Sequence, residues 1–139
     1  MLNKNIHSYQ ILYENALYRI PNLPDVLIQP GSKSPSIDQL FDEYKVECAA
    51  IITPYNPKSM QLCGVENEER MHKFKKQLSK LALPYFDTIS SDKQGGWLEA
   101  GTLVMGIDLK SSKQLGREYG QNAIIYLESK CAPKVIWLQ

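Results

Sequence analysis

Residues 48–53, Cys-Ala-Ala-Ile-Ile-Thr, form a continuous apolar run that Pro54 brings to a stop. Without alternation, and bounded by a residue that cannot donate to a ladder, such a run reads as a buried central strand. The rest of the chain must supply its neighbours. The strongest helical pattern follows it: between Val65 and Leu83, Met71, Phe74, Leu78 and Leu81 recur at steps of three and four. Lys73, Lys75, Lys76 and Lys80 lie off that stripe, and Pro84 ends it.

Weaker signals fill in the remainder. Residues 11–20, ending at Pro21, suit a first strand, and Val26–Ile28 a short second one closed by Pro30-Gly31. Ser36 is placed to cap a helix through Tyr44, with Ile37, Leu40, Phe41 and Tyr44 at helical spacing. Strands are expected at 85–89, 102–107, 123–127 and 135–138. A capping box from Ser111 to Gln114 would open a helix ending at Tyr119, with Gly120 just beyond. The order is ββαβαββαββ. At 139 residues this is one α+β domain, a sandwich with a mixed or mostly antiparallel sheet and about three helices.

Charge narrows the function. Sixteen Lys and Arg against fifteen Asp and Glu leave a net +1, without the basic excess of a phosphate-coating protein, so a nucleic-acid partner is not expected. The lysines of 73–80 read as the solvated face of their helix. No window reaches the ~18 apolar residues of a membrane span. Met1–Gln10 lacks the apolar core of a secretory signal, so the expectation is a soluble, cytoplasmic protein away from membranes. Three cysteines without C-x-x-C spacing, and two histidines far apart at positions 7 and 72, offer no metal site. No phosphate loop, dinucleotide fingerprint or nucleophile elbow is present, and no cofactor is implied.

Several polar residues stand where apolar ones are expected. Carried backwards, the stripe of the long helix meets Asn67 and Arg70 in its first turn, where polar groups need partners. Arg70 beside a helix N-terminus suits an anion; equally, it could pair with a carboxylate such as Glu99 and tie a loop down. After the central strand comes Thr53-Pro54-Tyr55-Asn56-Pro57. Preceding a proline, Asn56 is expected to be extended, reading a ligand with its amide or making an Asx turn. Such a loop leaves the strand end that holds the ligand crevice in open α/β sheets. Gly95-Gly96-Trp97-Leu98-Glu99 offers a stacking face and an acid–base group, or simply a core tryptophan and a surface carboxylate. In Gly120-Gln121-Asn122-Ala123 two carboxamides enter an apolar strand, and alternation points one of them inward.

These four pieces resemble a bacterial family known as domain of unknown function 3293. They stand here as Thr53-Pro54-Tyr55-Asn56-Pro57-Lys58-Ser59, Asn67-Glu68-Glu69-Arg70, Trp97-Leu98-Glu99-Ala100 and Tyr119-Gly120-Gln121-Asn122-Ala123. Pro54 replaces the alanine usual in the family, and Ala100-Gly101 stands where a serine is expected. The resemblance implies that Thr53, Asn56, Asn67, Arg70, Trp97, Glu99, Gln121 and Asn122 converge, and it implies no particular reaction. The expected function is a pocket for a small polar or anionic ligand, nucleotide-like in the side chains it would use, with Glu99 as the catalytic candidate if there is chemistry. The alternative is a small interaction module, an immunity, antitoxin or regulatory protein acting on a protein partner through its tyrosines.

Overall fold

The computed structural model describes residues 11–96 and 98–138. Seven strands form a single curled sheet in the order β2-β1-β4-β5-β3-β6-β7. They are β1 (Leu17–Ile20), β2 (Leu23–Ile28), β3 (Cys48–Ile52), β4 (Tyr85–Ser91), β5 (Glu99–Met105), β6 (Ala123–Glu128) and β7 (Lys134–Trp137). Every pairing is antiparallel. Besides a helical stretch at residues 11–14, the helices are α1 (Pro35–Tyr44), α2 (Gly64–Lys80) and α3 (Leu109–Glu118), with a 3-10 turn at Pro57–Ser59.

The apolar run at 48–53 lies between β5 and β6 in the middle of the sheet, and alternation divides it between two cores. Ala49 and Ile51 join Leu103, Met105, Ile125 and Leu127 on the face covered by Ile37, Leu40 and Phe41 of α1. Ala50 and Ile52 join Val104, Ile124 and Tyr126 on the opposite face, beneath Phe74 and Leu78 of α2, Leu115 of α3 and Tyr119 at the end of α3. The fold is thus α+β with helices on both sides of one antiparallel sheet.

Element boundaries differ from the sequence expectation where capping and pairing decide them. Residues 11–14 are helical, and β1 is confined to 17–20. Helix α1 starts at Pro35 behind Ser34, since proline is favoured at the first helical position. Helix α2 stops at Lys80 because Ala82 turns left-handed (φ 56°) and Leu83 N–H bonds back to Leu78 O, ahead of Pro84. Asp108, rather than the Ser111–Gln114 box, caps α3: its carboxylate accepts from Ser111 N at 2.7 Å. Strand β5 begins at Glu99 rather than 102, which places Glu99 inside the sheet opposite Ser90.

Gly116 is the tightest joint between α3 and the sheet. A Cβ there would lie 2.6 Å from Leu138 Cδ1 and 2.9 Å from Ile124 Cγ2. Alanine would gain up to about 1 kcal/mol of helix propensity, while overpacking costs about 1–3 kcal/mol. Gly116→Ala is therefore expected to destabilise the fold by about 1–2 kcal/mol net in a denaturant titration. A stabilised variant would show that α3 is loosely packed.

Candidate functional site

Cross-strand register builds the site on the α1 face of the sheet, at the C-terminal end of β3. Tyr18 of β1 lies opposite Ser90 of β4, which lies opposite Glu99 of β5. One step deeper, Thr88 is opposite Gly101. A Cβ at 101 would sit 3.1 Å from Thr88 Oγ1 and 3.3 Å from Thr53 Cβ, so the missing side chain keeps this row open. These positions share one face because strand residues two apart do so. They line a cavity of about 210 Å³ together with Leu12, Tyr13, Ile51, Ala100 and Ile125. Because the strands are antiparallel, the crevice rule of open α/β sheets does not apply; here β3 and β4 end where β5 and β6 begin.

The loop from Thr53 to Leu62 closes one end of the cavity. It contains three non-glycine residues with positive φ: Asn56 (48°), Lys58 (57°) and Ser59 (59°). Asn56 is left-handed (φ 48°, ψ 62°) rather than extended. Asparagine tolerates that region, and neighbouring groups hold it there. Its backbone N donates to Asn67 Oδ1 at 3.0 Å, and its Nδ2 donates to Glu99 Oε2 at 2.9 Å. Its Oδ1 accepts from Leu62 N and from Asn67 Nδ2, both at 2.9 Å. The loop is further fixed by Lys58 N to Gly120 O at 2.7 Å, Gln121 Nε2 to Tyr55 O at 2.9 Å and Asn122 Nδ2 to Ser59 Oγ at 2.8 Å. Thr53 Oγ1 donates to Ala100 O at 2.6 Å and accepts from Tyr55 N at 3.0 Å.

Arg70 belongs to this framework and faces away from the cavity. It rides on α2, against the opposite face of the sheet, and donates Nε to Pro54 O at 2.6 Å and Nη2 to Tyr119 O at 2.5 Å. Its guanidinium lies 5.5 Å from the Tyr119 ring centroid. It borders a separate outer cleft with Leu62, Glu66, Glu69 and Glu118. Of the eight residues expected to converge, Thr53, Asn56, Glu99 and Gln121 line the cavity. Asn67, Arg70 and Asn122 brace the loop behind it, and Trp97 lies outside the described residues. Neither carboxylate pairing of Arg70 nor an Asx turn at Asn56 is found: Glu99 pairs with Asn56, and Arg70 with two carbonyls.

The family described as "Protein of unknown function (DUF3293)" matches residues 52–124, just over half of the chain. The chain belongs to this family. The matched segment runs from the end of β3 to the start of β6 and contains the loop, α2, Glu99 and the Gln121-Asn122 pair. No curated protein and no solved structure matches the chain. Among the described residues no helix is long and apolar enough to cross a membrane, and no three His, Cys, Asp or Glu side chains gather into a metal site.

The chemistry of the cavity rests on residues that sequence reasoning passed over. Tyr18 is 7% exposed, and among the described residues its hydroxyl has no hydrogen-bond partner. Thr88, 1% exposed, is likewise without one. A detectable signal existed in the 88/90 alternation of hydroxyl residues on a strand, but the strand carrying Tyr18 is some seventy positions away. Burial pushes the Glu99 carboxyl above its ordinary value of 4.5, opposed by the Asn56 hydrogen bond. Burial also raises the Tyr18 phenol, with smaller contributions from Tyr13 and Glu99.

A raised carboxyl sets the sign of a pH effect. Above 4.5 the unfolded chain loses a proton that folded Glu99 still holds, so stability falls as pH rises through that window. Glutamine keeps the acceptor for Asn56 and has no proton to lose. The Tm of Glu99→Gln relative to wild type is expected to rise with pH above 4.5. A difference that stays flat from about pH 4 to 8 would place the Glu99 carboxyl in water.

Proposed function

We propose that this chain binds a small molecule in the cavity on the α1 face, with Glu99 and the neighbouring hydroxyls fixing a polar head and Ile51, Ala100 and Ile125 enclosing an apolar body. The observation that carries this reading is Tyr18, whose hydroxyl is bonded to nothing in the described structure and opens onto the same space as a half-buried carboxyl. Buried polar groups normally find partners within the fold, and here every fully buried side-chain N or O among the described residues has one. Hydroxyls left unpaired at the wall of a cavity are free to bind whatever enters it.

Size and charge refine the expectation. An apolar cavity of about 150 Å³ takes up benzene, so about 210 Å³ suits one ring with a short substituent. A whole nucleotide is too large for the enclosed space, although a base alone fits. Arg70, the cation assigned to an anionic group, is engaged with Pro54 and Tyr119 behind the loop. Polar recognition therefore falls to Glu99, Tyr18 and Thr88. The interaction-module alternative asks for an exposed aromatic face, and among the described aromatic residues only Tyr44, at 40%, is substantially exposed.

Phenol is a suitable first probe, being one ring with one hydrogen-bonding group. Titrated into labelled protein, it is expected to shift the amide resonances of Thr88, Gly101 and Ile125 with a roughly millimolar dissociation constant. Ser90→Leu, which fills the cavity from the Tyr18–Ser90–Glu99 row, is expected to abolish those shifts while leaving the spectrum of α2 and α3 in place. Equal binding to both proteins would put the phenol site elsewhere.

A further inference from the structure

The polar groups of the cavity are unusual in their sign. Asn56 occupies Glu99 Oε2 and leaves Oε1 directed to no donor among the described residues. Across the row, Ser90 Oγ donates to the Glu99 carbonyl at 3.3 Å, and the Tyr18 hydroxyl lies one strand beyond. Thr88 Oγ1 sits one step deeper. All of these oxygens can accept, and among the described lining residues there is no Lys, Arg or His to donate a charged hydrogen bond. Holding a carboxylate in such a place without an opposite charge is costly. The group that complements it carries a positive charge and several N–H donors and needs no acceptor. A primary ammonium has that inventory.

We infer that the cavity is a receptor for a primary ammonium group borne on a single ring, with Glu99 as its counter-ion and the Tyr18 and Thr88 hydroxyls as accepting partners, an assignment that rests on the pocket reading above. A neutral alcohol would satisfy one acceptor and leave the carboxylate unpaired. A carboxylate ligand would meet Glu99 as a like charge. The enclosed volume limits the body to one ring and a chain of two or three atoms, and the apolar walls favour a hydrocarbon ring over a sugar.

Three probes of one size separate the possibilities: 2-phenylethylamine, 2-phenylethanol and 3-phenylpropanoate, titrated into labelled wild type and Glu99→Gln at about pH 8, where an alkylamine is still protonated. The amine is expected to shift the Thr88, Ser90 and Gly101 amides with a dissociation constant at least about tenfold below that of the alcohol. Glu99→Gln is expected to remove that advantage, and the propanoate to leave the cavity amides unmoved. Should the variant misfold, wild type alone gives the answer. Affinity for the amine should tighten as pH rises through the raised Glu99 titration, because the carboxylate is its counter-ion and burial keeps the Tyr18 phenol protonated there. Equal affinity for amine and alcohol, or tighter binding of the propanoate, would overturn the ammonium assignment and leave the pocket standing. Cavity amides unmoved by all three probes would overturn both.

Discussion

Asn56 adopts a left-handed backbone immediately before a proline, and the loop from Thr53 to Leu62 holds that shape only because each polar atom of the residue is used. Residues in such conformations cost about 1–3 kcal/mol each, and this loop has three of them. A neutral hydrogen bond returns about 1 kcal/mol and one to a charged group about 1.5–3 kcal/mol. The five hydrogen bonds of Asn56, including Ser59 N to its carbonyl at 2.9 Å, the Lys58–Gly120 bond and the two carbonyls gripped by Arg70 are together of the magnitude needed to offset the strain. Glu99 is part of the same account: it accepts from Asn56 on one side and faces the cavity on the other. The groups that hold the loop also fix the carboxyl that a ligand would meet.

The two faces of the sheet divide the labour. Helices α2 and α3 cover one face and supply Asn67, Arg70 and the Tyr119–Gly120 turn, all of which reach over the sheet end to grip the loop. Helix α1 covers only part of the other face, and the cavity occupies the space left at the end of β3. A cation on α2 can therefore stabilise the loop without reaching what the loop encloses. The Tyr119 hydroxyl, bonded to Gln77, and the edge-to-face packing of Phe74 on Tyr119 at 5.1 Å bind α2 to α3 behind this framework.

Much of this was legible in the sequence, for local reasons. The element order follows from periodicity and breakers, and the centrality of 48–53 from its unbroken apolar character. Asn67 was identifiable because it interrupts a helical stripe, and Glu99, Asn56 and Gln121 because a family pattern placed them together. What escaped depends on pairing between distant strands. Tyr18 lay in the expected strand 11–20 with nothing to mark it until β1 was set beside β4, and Thr88 was an ordinary strand hydroxyl and Ser90 lay past the expected strand end until β5 brought Glu99 opposite. The direction of Arg70 was hidden too, since an arginine at a helix start serves a carbonyl pair as well as an anion. Which it serves depends on the sheet face beneath it.

The loop is clamped from behind by Asn67 and Arg70, and this clamp is separable from the sheet. Native-state hydrogen exchange of the Asn56, Lys58 and Leu62 amides, in wild type and in Arg70→Ala, tests it most directly. In wild type these amides are expected to be protected. In the variant their protection should fall by at least about tenfold, with the β3 and β5 amides unchanged. Loop amides that exchange equally fast in both proteins would contradict the account, as would protection lost uniformly across loop and sheet.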